Sequence, residues 1–321
     1  MNYRALGTTG LRVSEIGFGT WGLGGDSGGA VSYGPTNDET SRAALRYAVE
    51  QGINFFDTAD LYGYGHSETI LSDVFATRRD QAIIASKVGF VDGGQQDFSR
   101  AHIHTALENS LRRLRTDYLD LYQLHSPPIS VLREQPDIIP TLNELRAAGK
   151  IRAWGISSRS PEEARLAAEE FQPPCLQVNF NLTDQRALQS GLFDLCHQRQ
   201  IGIIVRTPLC FGFLTGKYSG AQTFEALDHR SRWSAEQLQR WGQANDAFQF
   251  LFDANPTDTP AQLALRFCLS FDAVATTIPG MLTNPHVLEN AAASSGGPLP
   301  PELIAQAVKV GATTDFFVRS A

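Results

Sequence analysis

What this chain lacks narrows its function first. Its four cysteines, Cys175, Cys196, Cys210 and Cys268, show no CxxC spacing and no histidine at a zinc-like interval. That argues against a disulfide framework or a cysteine-held metal, and leaves four reduced, partly buried thiols in a cytoplasmic protein as the expectation. Basic residues are not in excess: 27 Lys and Arg stand against 34 Asp and Glu, a net charge of −7. A general nucleic-acid or anionic-membrane surface would need the opposite balance. A small anionic ligand stays open, because one pocket can be basic on an acidic protein. No stretch approaches the roughly 20 apolar residues of a membrane span. The opening MNYRALGTTGL has no apolar run of the kind a signal peptide carries. Missing too are a GxGxxG turn, a GxSxG elbow and an HExxH helix.

What is present is a regular alternation of strands and helices. Eight β-rich runs fall at Ile16–Thr20, Asn54–Thr58, Ala82–Lys87, Tyr118–His125, Ala153–Ser157, Leu176–Asn181, Ile203–Thr207 and Ala273–Pro279. Most are near-continuously apolar, as strands of a parallel sheet covered on both faces must be. Helix signals separate them. Ile103, Leu107, Leu111 and Leu114 form a helical stripe behind a Ser99 cap. Ser160-Pro161-Glu162-Glu163 and Thr259-Pro260-Ala261-Gln262 read as capping boxes with Pro at the first helical position, and Asn284-Pro285 opens another helix. Eight such units predict an α/β protein, a closed (β/α)8 TIM barrel forming a single domain over residues 1–321. The rival, a doubly wound sheet, would carry a glycine-rich turn after its first strand. Gly17-Phe18-Gly19 stops short of one.

Three segments fall outside the repeat. Tyr3–Val13 reads as a hairpin turning at Thr8-Thr9-Gly10, with Leu6 and Leu11 free to plug the bottom of the barrel. Gly212 to Asp258 is a long loop after the seventh barrel strand, and long loops at that end of a barrel are usually functional. Gly22–Pro35, with six glycines, is a second candidate for a mobile loop.

Barrel active sites lie at the C-terminal ends of the strands. Asp57 ends the second strand, Lys87 the third and His125 the fourth, and Tyr62 follows Asp57 in the loop LYGYGHSE. Taken singly, each has an ordinary explanation: a cap, a surface charge, a core histidine, a packed ring. Together they are harder to dismiss, because apolar strands rarely end in inward charges without partners. The set also makes chemical sense. A phenol, with a pKa of about 10, is a poor acid near neutrality, and a neighbouring ammonium makes it a better one. Asp57 would hold Lys87, His125 would orient a carbonyl oxygen, and Tyr62 would protonate it as hydride arrives. No metal is required.

These motifs resemble those of the aldo-keto reductases, close to the branch of potassium-channel β subunits and bacterial sugar or aldehyde reductases. The resemblance covers nearly the whole chain: YRALGTTGLRVSEIGFGTW at the start, FFDTADLYGYGHSE, IIASKVG and DYLDLYQLH for the four polar residues, then GISS, RTPLCFGFLTGKY and IPGMLTNPHVLEN. It implies the barrel fold and a nicotinamide cofactor lying across the barrel mouth. It further implies contacts from Thr20, Trp21 and Asp57; Ser157, Ser158 and Gln177 near the carboxamide; Thr207, Leu209, Gly212 and Lys217 around the pyrophosphate; and Gly280, Leu282, His286, Glu289 and Asn290 at the adenine end. Arg206 stands where many members stack an aromatic ring. It can stack its flat guanidinium instead, or pair with a carboxylate.

The cofactor's identity is the least determined point. A 2′-phosphate usually meets Arg or Lys, yet Gly280–His286 offers only His286. The long loop adds Lys217, Arg230 and Arg232, so NADP(H) is expected with a modest preference, and NAD(H) stays possible. Trp21, Tyr64, Phe90 and Trp233 are candidates to line the substrate pocket. The expected partner is a small carbonyl compound. A regulatory subunit that holds the cofactor as a redox sensor is the alternative.

Overall fold

All eight apolar runs become strands, and each strand pairs in parallel with the next. The structure is a computed structural model that describes residues 1–25 and 32–318. An antiparallel hairpin comes first, β1 (Tyr3–Ala5) and β2 (Arg12–Ser14). The barrel strands are β3 (Phe18–Gly19), β4 (Phe55–Asp57), β5 (Ile83–Val88), β6 (Leu119–His125), β7 (Ile151–Ser157), β8 (Cys175–Asn179), β9 (Gly202–Arg206) and β10 (Val274–Thr277). They are ordered consecutively from β3 to β10. Parallel bridges from Ile16 to Thr277 and from Gly19 to Gly280 join the last strand to the first and close the (β/α)8 barrel.

Period-two alternation sorts the side chains. One set points outward under the helices, including Phe56, Ile84, Tyr122, Leu124, Trp154, Leu176 and Val205. The other fills the barrel: Phe55, Ala85, Leu121, Ala153, Cys175, Ile204 and Ala275 pack with Leu6, Leu11 and Val13 of the hairpin. Leu6 is 0% exposed. The hairpin therefore plugs the barrel at its N-terminal end. Its turn sits so close to the strand starts that a Cβ on Gly7 would lie 2.2 Å from the Gly202 nitrogen and 2.3 Å from the Pro174 carbonyl oxygen. With φ at +52°, only glycine suits that position.

The helix signals are largely realised. Ser99 accepts from the His102 N–H at the start of helix Arg100–Leu114. Thr259 and Gln262 form a reciprocal capping box. At Ser160 only half of one forms: the Ser160 hydroxyl accepts from the Glu163 N–H, while Glu163 turns away to accept from Ile129. Helix Asn284–Gly296 begins where expected, capped by Thr283. The long segment after β9 is not a structureless loop. It folds into short helical pieces, Cys210–Thr215, His229–Arg232, Ala235–Gly242, Ala244–Ala247 and Gln249–Ala254, because Leu238, Trp241, Phe248 and Leu251 bury themselves against the barrel exterior. In the glycine-rich stretch, Trp21–Gly24 forms a short 3-10 turn and Ser32 and Tyr33 bridge to Asp228; residues 26–31 lie outside the described part.

Candidate active site

The strand ends converge on a cavity of about 970 Å³ at the C-terminal mouth. At its base Lys87 is wholly buried. Its ammonium donates three hydrogen bonds: to Asp57 Oδ2 at 2.5 Å, the Thr58 carbonyl at 2.8 Å and the Tyr62 hydroxyl oxygen at 3.0 Å. Burial alone would push this lysine towards neutrality, but Asp57 and Tyr62 outweigh it, so Lys87 is held above the ordinary lysine range. The second carboxylate oxygen of Asp57 accepts from Gln177 Nε2 at 2.7 Å and Gln123 Nε2 at 3.1 Å. Both oxygens of a buried charge are thus occupied, the condition for tolerating it in a barrel interior.

Tyr62 reaches this site from the loop after β4. Its turn packs against the first 3-10 turn so tightly that a Cβ on Gly63 would lie 2.5 Å from the Gly24 carbonyl oxygen, and Gly63 has φ +60°. Because the Tyr62 oxygen accepts from Lys87, its own proton is free to point into the cavity. His125 lies beside it, ring centroids 6.0 Å apart, with Phe90 on its other edge at 4.8 Å. Burial, then the charges of Lys87 and Arg206, hold His125 well below the usual imidazole range. That shift favours the neutral imidazole, and its Nδ1 is buried without a partner.

Arg206 forms the adjoining wall. It donates to Asn179 Oδ1 at 2.8 Å, Ser157 Oγ at 3.2 Å and the Ser158 carbonyl at 2.7 Å. Of the two readings of Arg206, an ion pair is not what forms: among the described residues no carboxylate comes within 4.0 Å of it.

The chain resembles known proteins along its length. The sequence model described as Aldo/keto reductase family matches residues 15–312. The chain belongs to the aldo/keto reductase family. It is 37% identical to the aldo-keto reductase YhdN of Bacillus subtilis (strain 168) over 237 residues, 72% of this chain and 69% of that protein. Identity to the uncharacterized oxidoreductase YqkF of the same organism is 33% over 316 residues, covering 95% and 94% of the two chains. Among solved structures, the holo form of aldo-keto reductase AKR11C1 from Bacillus halodurans superimposes with a TM-score of 0.78 at 30% identity, covering 97% of this chain and 96% of that one. The glycerol dehydrogenase AKR11B4 from Gluconobacter oxydans gives 0.79 at 27% identity, covering 96% and 94%. The family's cofactor is a nicotinamide dinucleotide.

In this aldo/keto reductase most positions implied for cofactor contact line the one cavity. They include Thr20, Trp21, Asp57, Gln177, Arg206, Thr207, Leu209 and Gly212, and also Lys217, Arg230, Arg232, Gly280, Leu282, His286, Glu289 and Asn290. Tyr64, Phe90 and Trp233 are at its rim, Tyr64 the most exposed at 63%. Ser157 and Ser158 are buried behind the wall, covered by Arg206. The N–H groups of Gln177 are taken by Asp57 and Gln123, while its carbonyl oxygen accepts a long hydrogen bond from Ser157 Oγ at 3.4 Å. In the turn after β9, the Gly212 N–H already donates to Leu209. Arg230 is also engaged: it pairs with Asp228 at 2.5 Å and lies 4.2 Å over the Phe224 ring. Lys217 and Arg232 are exposed at the cavity edge.

Two residues escaped the reading of strand ends. Gln123 holds Asp57, and Asn179 holds Arg206 and Thr207. Each stands two positions from a residue already singled out, Gln123 from His125 and Asn179 from Gln177. Strand periodicity alone places them on the same inward face.

Proposed function

We propose that this chain reduces an aldehyde or ketone to an alcohol, with Tyr62 as the proton donor and NADP(H) as the preferred cofactor. The observation that carries the reading is the three-way bonding of the Lys87 ammonium, which makes the Tyr62 oxygen an acceptor and leaves its own proton free to be donated into the cavity. The residues fit a nicotinamide dinucleotide on this structure's own terms. The cavity, about 970 Å³, is lined by Asp57, Tyr62 and His125 and also by Lys217, Glu289 and Asn290, and the imidazole Nδ1 of His125 is unpartnered. When bound, the cofactor supplies hydride to the carbonyl carbon.

The protein's own groups do the rest. His125, neutral, donates to the carbonyl oxygen and orients it. Tyr62 gives that oxygen its proton. Lys87, fixed by Asp57, stabilises the phenolate that remains until solvent returns the proton. At the mouth, Trp21 packs with Tyr33 and His229, centroids 5.2 and 4.6 Å away, forming an aromatic edge for an apolar or ring-shaped substrate. Cys175, Cys196, Cys210 and Cys268 are buried and unbridged, which supports a reducing compartment, the cytoplasm.

A panel of sugars, small aldehydes and cyclic ketones, followed by loss of reduced-nicotinamide absorbance with each cofactor, tests the reading. Tyr62→Phe keeps the ring and removes the proton, so turnover should fall at least ~10²-fold, the scale of general acid catalysis, with cofactor affinity nearly unchanged. Near-normal turnover in that variant would remove Tyr62 from the role.

A further inference from the structure

Charge around the hydride-transfer site does not balance. Asp57 and Lys87 cancel as an ion pair 2.5 Å apart, and His125 is neutral. Arg206 remains. Its partners are an amide, a hydroxyl and a main-chain carbonyl, all uncharged. Tyr62, Asp57 and, least, Asp184 act on it from a distance, and both carboxylates are already paired, Asp57 with Lys87 and Asp184 with Arg186 at 2.7 Å. A largely buried cation with no carboxylate at ion-pair distance among the described residues is costly to hold. That cost is recovered only by a bound group that tolerates or attracts positive charge.

On the reading that a nicotinamide ring binds in this cavity, we propose that Arg206 makes the site discriminate between the cofactor's redox states, favouring the reduced form. The reduced ring is neutral and electron-rich, a surface a guanidinium can face favourably. Losing a hydride, two electrons with one proton, leaves the ring with a positive charge. That charge meets an uncompensated guanidinium in a medium of low effective dielectric. The hydride goes to the carbonyl carbon and the Tyr62 proton to its oxygen. Once solvent has reprotonated Tyr62, no unpaired carboxylate among the described residues lining the cavity base offsets the ring's new charge. The oxidised cofactor is then weakly held, product inhibition is slight, and the enzyme is occupied chiefly by the reduced form. Lys217 and Arg232 do not create this bias, because phosphates are common to both redox states.

Titrating the full-length protein with oxidised and reduced cofactor, read by quenching of its tryptophan fluorescence, gives the ratio of the two dissociation constants. We expect the wild type to favour the reduced form by about tenfold or more, the scale of one charge pair several ångströms apart. Arg206→Gln should bring the ratio close to one, while Arg206→Lys should keep most of it. Asn179→Asp leaves Arg206 in place but supplies the missing carboxylate beside it, and should lower the ratio as Arg206→Gln does. This second route stands even if the glutamine variant fails to fold. Lys217→Ala should weaken both forms alike. An unchanged ratio in Arg206→Gln or Asn179→Asp, with binding intact, overturns the proposal. So does a result in which the variants lose only carbonyl substrates bearing a carboxylate, since Arg206 would then be an anion receptor. Failure of the wild type to bind either form refutes instead the nicotinamide reading on which the proposal rests.

Discussion

Each ionisable group in the barrel mouth owes its state to one or two neighbours. Lys87 stays charged while buried because Asp57 sits 2.5 Å away, and His125 stays neutral because it is buried beside two cations. Asp60, just after β4, shows the same physics working against stability. Burial first, then the Glu68 carboxylate, raises its pKa to about 7. Glu68 is itself committed to Ser86 and Arg113, each at 2.6 Å, and Asp60 Oδ1 is left buried without a partner. A folded-state pKa above the unfolded value of 3.8 means the native protein holds a proton that the unfolded chain releases. This contribution is fully present below pH 4 and is lost as pH rises through 7. Asp60→Asn should therefore melt several degrees above the wild type at pH 8, with the difference shrinking towards pH 4. A pH-independent difference in melting temperature would contradict this account of Asp60.

At the scale of elements, the hairpin and the strand ends divide the labour. The hairpin closes the bottom, and the loops after β4 and β9 build the top. Leu6→Ala removes a fully buried side chain from the plug, and truncations of this kind cost about 2–5 kcal/mol. The midpoint of urea unfolding should fall accordingly, while turnover per folded molecule stays unchanged, since the site is at the other end of the barrel. A loss below about 1 kcal/mol would mean that the hairpin rests on the barrel without filling it. The helices carry smaller local terms. The complete box at Thr259 and the half-formed one at Ser160 differ because Glu163 has an alternative donor, the Ile129 N–H.

For the molecule as a whole, the acidic surface and the basic cavity are separate matters. The chain carries −7 overall, yet Lys217 and Arg232 stand exposed among the residues lining the cavity. Arg230 is bound to Asp228 and packed over Phe224. Burial and then Lys217 hold His286 below the usual imidazole range. On the proposed NADP(H) preference, selectivity should rest on Lys217 and Arg232. Replacing either with Ala should weaken NADP(H) severalfold and leave NAD(H) almost untouched, as measured by fluorescence titration. Replacing Arg230 should disturb both cofactors and lower thermal stability. His286→Ala should matter only well below pH 6.5. Equal effects of Lys217→Ala on the two cofactors would show that the loop does not contact the phosphate.

The strands, the barrel and the four polar residues at its mouth are legible in the linear chain. Strand periodicity and strand-end chemistry are local, written in runs of a few residues, and all eight runs and the plug residues Leu6 and Leu11 could be read from them. The same periodicity, applied once more, would have reached Gln123 and Asn179. Which polar groups remain available once their neighbours have bonded them depends on the folded chain. Asp57 takes the Gln177 amide from 120 positions away, Arg206 covers Ser157 and Ser158 from nearly 50 away, and Asp228 keeps Arg230. Such competition depends on distances between residues far apart in the chain, which closure of the barrel fixes. It is also what leaves the Arg206 guanidinium with no carboxylate partner among the described residues.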